Sequence, residues 1–91
     1  VSLSQKTMKK AVEQDPNNLE IRFMRFTIQH YTPLFLGFSK DLDEDRKAIV
    51  GQFKNRKFGL ADAPLIRNIA AFMIESDRCL KEELPVFKKY I

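Results

Sequence analysis

Four prolines decide what this chain can fold into, because each stands where a stretch of helical apolar spacing ends or begins. A proline lacks the amide hydrogen that an interior helical turn requires, and it pushes the residue before it toward extended geometry. Pro16 and Pro33 each follow such a stretch, Pro64 opens one, and Pro85 sits near the chain's end. A single long helix is therefore out of reach. Several short helices joined by tight turns are predicted instead, and 91 residues suffice for one hydrophobic core but not two.

The first segment, residues 3–14, puts Leu3, Thr7 or Met8, Ala11 and Val12 on one face, with Lys6, Lys9, Lys10 and Glu13 opposite. Asp15-Pro16-Asn17-Asn18 ends it, and Asn18 is a good N-cap for the segment that follows. From Leu19 to about Tyr31, apolar residues at 19, 21, 23, 24, 26 and 28 wrap most of a helix. They leave Arg22, Arg25 and Gln29 on one narrow stripe. Thr32-Pro33 closes this helix, and Leu34-Phe35-Leu36-Gly37-Phe38 reads as a connector tucked into the core.

A third helix is expected over residues 42–55. Asp41 and Glu44 would form its capping box, and Leu42, Ile49, Val50 and Phe53 its buried face. Lys54, Arg56 and Lys57 at its end complement the helix dipole. Phe58-Gly59-Leu60 breaks the pattern, and Asp62 is placed to cap a fourth helix over residues 63–76, with Pro64 in its first turn. Leu65, Ile66, Ile69, Ala70, Phe72 and Met73 cover most of that helix, which makes it the expected centre of the bundle. Arg67, Asn68, Ala71 and Glu75 remain as its exposed stripe. Pro85 rules out a helix interior there, so a fifth short helix starts near Lys81 or Glu82, with Leu84, Phe87 and Tyr90 or Ile91 inward and Cys79 in the loop before it. A continuous helix over 63–82 is the competing reading. The fold class is all-α, with about five helices.

Composition narrows the function. The net charge of +4 is spread thinly, with +1 over residues 1–16, +2 over 17–40, +1 over 41–60 and zero over 61–91. No basic arm marks a nucleic-acid binder, and that reading stays a weak alternative resting on Lys54 to Gly59, with Phe58 as a stacking residue. The longest apolar run, Ile69 to Ile74, is too short to cross a bilayer. One cysteine cannot form an internal disulfide, and no Cys/His cluster suits zinc.

Asp41, Asp43 and Asp45 alternate like calcium-loop ligands, but Arg46 stands where glycine is needed and Gln52 where the closing glutamate belongs. His30, the only histidine, lacks a recognisable nucleophile partner and suits a helix C-terminus. Neither a metal nor a cofactor is expected, and no enzymatic activity.

The string Ala11-Val12-Glu13-Gln14-Asp15-Pro16-Asn17-Asn18 resembles the end of a tetratricopeptide repeat and its turn into the next, where a small residue admits a neighbouring helix and proline stops the chain. Arg22, Arg25 and Phe26 depart from that pattern, so the following repeat is irregular. Residues 8–76 also resemble an uncharacterised family of small bacterial helical proteins, best known from Bacteroidetes. The likeness rests on Asp15 to Phe26, Pro33 to Phe38 and Asp43-Glu44-Asp45. Members carry further helical sequence upstream, and some begin with a secretory signal.

These resemblances, and a start at Val1, imply one helical domain over 1–91 that is a piece of a longer protein, secreted or periplasmic if a signal was removed. The resemblances support the fold more than an activity; from the residues themselves the leading expectation is a non-enzymatic module that binds a protein or peptide, with Arg22, Arg25 and Gln29 as contacts, since paired guanidiniums on one face bind carboxylates bidentately. The competing expectation for the two arginines is ion pairing with a neighbouring helix. The alternative function is a structural segment whose first helix leaves Leu3, Met8, Ala11 and Val12 partly uncovered and packs or dimerises through them.

Overall fold

Asn18 shows how the local chemistry sets the element boundaries. It adopts an extended conformation, its side-chain oxygen accepts the Ile21 amide at 3.1 Å, and its own amide donates to the Asp15 carbonyl. One helix thus ends and the next begins within a four-residue turn. The computed structural model describes residues 5–31 and 39–91. Among them it contains α1 (Gln5–Gln14), α2 (Leu19–His30), α3 (Ser39–Lys54), α4 (Ala63–Glu75) and α5 (Leu84–Lys88), with a 3-10 turn over Lys81–Glu83 leading into α5. The fold class is the all-α bundle expected. Leu3 and the 32–38 connector lie outside the described residues.

Asp62 caps α4 as expected, accepting the Leu65 amide at 2.9 Å, with Pro64 in the first turn. The continuous-helix reading is overturned. α4 stops at Glu75, and Asp77 takes a left-handed backbone angle of φ 60°. The 3-10 turn begins where the fifth helix was expected, and the Glu83 carboxylate accepts the Leu80 amide at 2.8 Å. Phe87 points into the core, whereas Ile91 does not.

Two expectations are corrected at α3. The helix begins at Ser39, so Asp41 lies within its first turn. Glu44 does not reach back to a cap but crosses to α2, because two guanidiniums offer it stronger, charge-assisted hydrogen bonds. α3 rather than α4 is also the centre of the bundle. It buries Leu42, Asp45, Arg46, Ile49, Val50 and Phe53, against Ile69, Ala70 and Met73 for α4, and it contacts both α2 and α5.

The end of α3 follows from hydrogen bonding. Lys57 donates to the Gln52 carbonyl at 2.8 Å and Arg56 to that of Phe53 at 3.3 Å, with Arg56 at φ 53°. This is the Schellman pattern, with arginine in the left-handed position that glycine fills most easily. Gly59 at φ 60° then turns the chain toward α4.

The core is aromatic at one end. Phe53 meets Phe58, Phe87 and Tyr90 edge to face, at centroid distances of 5.1, 4.8 and 5.3 Å. Met8 and Val12 are buried as well. That corrects the expectation of partial exposure for these two, which are covered where α1 meets α2, while Ala11 of the same stripe is half-buried. The radius of gyration of 12.6 Å matches the roughly 12 Å of a compact domain this long.

Candidate functional site

Periodicity places Arg22, Arg25 and Gln29 on one stripe of α2, and the structure turns that stripe toward α3. Arg25 and Gln29 are buried. Arg25 donates to both oxygens of Asp45, from Nε at 2.6 Å and Nη2 at 2.8 Å, while Nη2 also reaches Glu44 at 2.5 Å. Arg22 adds contacts from Nη1 to Asp45 at 3.0 Å and Glu44 at 3.2 Å, and its Nε donates to the Pro16 carbonyl at 2.9 Å. The two guanidiniums do clamp carboxylates, as the chemistry of the pair allows, but the carboxylates belong to α3.

Burial works against the charge on Arg25, yet the hydrogen bonds and charge of Asp45, with Glu44 behind them, outweigh it and hold the guanidinium protonated. Hydrogen bonding from Arg25 in turn draws the Glu44 carboxyl below its usual range. This cluster floors a cleft of about 420 Å³ lined by α1, α2 and α3, from Lys9, Val12 and Glu13 across to Asp41. Arg22, with 12% of its side chain exposed, is the member of the sequence-predicted trio that reaches solvent.

A second ion pair had no local signature. Arg46 Nη1 lies 2.6 Å from both oxygens of Glu83, joining α3 to the turn before α5. Asp41, Asp43 and Asp45 all lie within α3 rather than in a loop, and no group of three acidic, histidine or cysteine side chains among the described residues is arranged to hold a metal. Phe58 is half-buried and packs edge to face on Phe53 and Tyr90. Cys79 is half-buried, and burial, reinforced by the charge of Glu83, pushes its thiol up to about 11. That suits an inert cysteine.

The opposite side of α2 is the surface that the sequence reading passed over. Glu20, Phe23, Met24, Thr27 and Ile28, with Leu65 of α4, line a groove of about 320 Å³ whose walls are almost wholly apolar. Met24 stands in it 43% exposed. Beside the groove, Phe72 of α4 packs on α2, its ring lying 5.3 Å from Phe23 and 6.2 Å from Phe26. Residues 20, 24, 28 and 31 follow helical spacing, so the strip continues to Tyr31, which is 72% exposed. Apolar residues covered most of the circumference of α2 in the sequence, and no rule of periodicity says which of them a neighbour leaves bare.

His30 ends α2. Its Nδ1 accepts from Arg78 Nε at 2.8 Å, and its ring stacks on Phe26 at 6.4 Å. Burial, helped by the Arg78 charge, holds the imidazole below its ordinary range, so it is neutral near pH 7.

Comparison with protein-family models, curated proteins and solved structures finds no match for this chain.

Proposed function

We propose that this domain is a non-enzymatic recognition module that binds a protein or peptide segment along α2, in the groove of Phe23, Met24, Ile28 and Leu65. The supporting observation is Met24, a flexible and polarizable side chain 43% exposed inside an apolar concavity. Solvated apolar surface of that shape is released from water by a partner's apolar anchor, and methionine adapts its form to the anchor. The turn at Asp15–Asn18 and the α1–α2 contact agree with a tetratricopeptide-like hairpin carrying this face. Among the sequence-predicted contacts, Arg22 lies nearest to solvent, while Arg25 and Gln29 support α2 from its buried side.

Affinity capture from host lysate tests this with three proteins: the wild type, Met24→Glu and Arg22→Glu, each shown to be folded by circular dichroism. A partner held by wild type and Arg22→Glu but lost by Met24→Glu supports the groove. Loss with Arg22→Glu alone moves the contact to the cleft between α1, α2 and α3. Equal capture by all three overturns both faces.

A further inference from the structure

The strip along α2 ends in a separate small cavity of about 170 Å³, lined by His30, Tyr31, Phe72, Glu75 and Ser76. Three rings meet there at steep mutual angles. His30 and Tyr31 lie 4.9 Å apart at 72°, His30 and Phe72 5.4 Å at 79°, and Tyr31 and Phe72 6.2 Å at 68°. Such a corner brings several ring systems to bear on one point, and the negative face of an aromatic ring attracts a cation within about 6 Å of its centroid. Glu75 lines the same cavity and forms no ion pair among the described residues, so a carboxylate is free to balance a positive guest.

We propose that this aromatic corner binds a methylated ammonium head, held by the rings of Tyr31, Phe72 and His30 and by the charge of Glu75. The volume corresponds to roughly five or six waters, which suits a nitrogen with three methyl groups and the first methylene of its stem.

Hydrogen-bonding capacity selects against an unmodified lysine. A primary ammonium is strongly hydrated and brings three donors that must be satisfied. Ser76 is already engaged, since its hydroxyl donates to the Met73 carbonyl at 2.8 Å and accepts from the Arg78 amide at 3.3 Å. The Glu75 carboxylate and the Tyr31 hydroxyl are left to serve three donors. A methylated head sheds its weak hydration and needs none of them. Neutrality of His30 removes the repulsion that an imidazolium would add. Arg78 is not part of the lining, and its bond to Nδ1 leaves the ring's other nitrogen to carry the proton. The proposal does not depend on the apolar groove.

The test is an NMR titration of the full chain with choline, with its neutral isostere 3,3-dimethylbutan-1-ol, and with a peptide carrying trimethyllysine. Choline is expected to shift the ring resonances of Tyr31 and Phe72 and to bind about fivefold or more tighter than the isostere. Tyr31→Ala, a change at an exposed position, and Glu75→Gln should each weaken choline by about three- to tenfold with the fold unchanged. Tighter binding of the peptide than of choline assigns the head to a protein ligand, and the reverse order assigns it to a small molecule. Equal affinity for the neutral isostere, unchanged affinity in both variants, or no shift at tens of millimolar choline overturns the proposal.

Discussion

Asp45 carries more of this fold than its size implies. It is 0% exposed and receives two bonds from Arg25 and one from Arg22, whereas Glu44, one residue earlier in the same network, is 60% exposed at its side chain. A buried charge whose partner is removed cannot return to water, so the loss leaves the remaining ions uncompensated. Asp45→Ala is expected to cost about 3–5 kcal/mol, and Arg25→Glu at least as much, read as the midpoint shift in urea unfolding. Glu44→Ala should cost under about 1 kcal/mol, as solvent screens most of what it contributes. A small loss at Asp45 would contradict the network. The same contrast explains what the sequence hid. On a helical wheel a polar stripe has one appearance whether it faces water or a carboxylate pair on the next helix. Arg22, Arg25 and Gln29 were therefore legible as one stripe with two competing expectations for its arginines, and the structure takes the ion pair with a neighbouring helix.

Helix boundaries were legible because they are local. Asn18, Asp62 and Pro64 act on amides within three residues, and the structure uses them as their chemistry demands. Two left-handed residues show where local signals gave out, since neither Arg56 nor Asp77 announces a positive φ. Left-handed backbone costs a residue bearing a Cβ about 1–2 kcal/mol relative to glycine, less what glycine loses in the unfolded chain. Arg56→Gly should therefore raise stability by up to about 1 kcal/mol, seen as a higher Tm in thermal unfolding. An unchanged or lower Tm would mean that the aliphatic stem of Arg56 contributes more than its backbone angle costs. Glu83 and Arg46 mark the other limit of sequence reading. Their pairing spans 37 residues and has no periodic trace, since Arg46 lies midway along α3 and Glu83 in the turn before α5.

For the whole molecule, acidification should be destabilising, and two groups set the direction. His30 has its folded value lowered below 6.5, so the neutral form is the native one. Its contribution is complete above that pH and is lost as pH falls through the folded value. Protonation also removes the acceptor that Arg78 uses. Glu44 is likewise lowered below 4.5 by Arg25, so its contribution is complete above 4.5 and declines at still lower pH. Thermal unfolding followed from pH 7 to pH 4 should show a falling Tm, with the upper part of the decline absent in His30→Gln. A Tm that rises on acidification would reverse the sign of both arguments.

The clamp between Arg46 and Glu83 also bears on how the chain is made. Until residues 81–91 have left the ribosome, Arg46 has only the exposed Asp43 carboxylate, 3.7 Å away, beside it, and Phe53 lacks Phe87 and Tyr90 against its ring. The nascent chain can form its early helices but has no closed core in which to rest, because the most central helix completes its packing with the last residues of this stretch to be translated. Closure of this core thus waits for residues 81–91, and truncation just before Glu83 yields a polypeptide for proteolysis rather than a smaller domain.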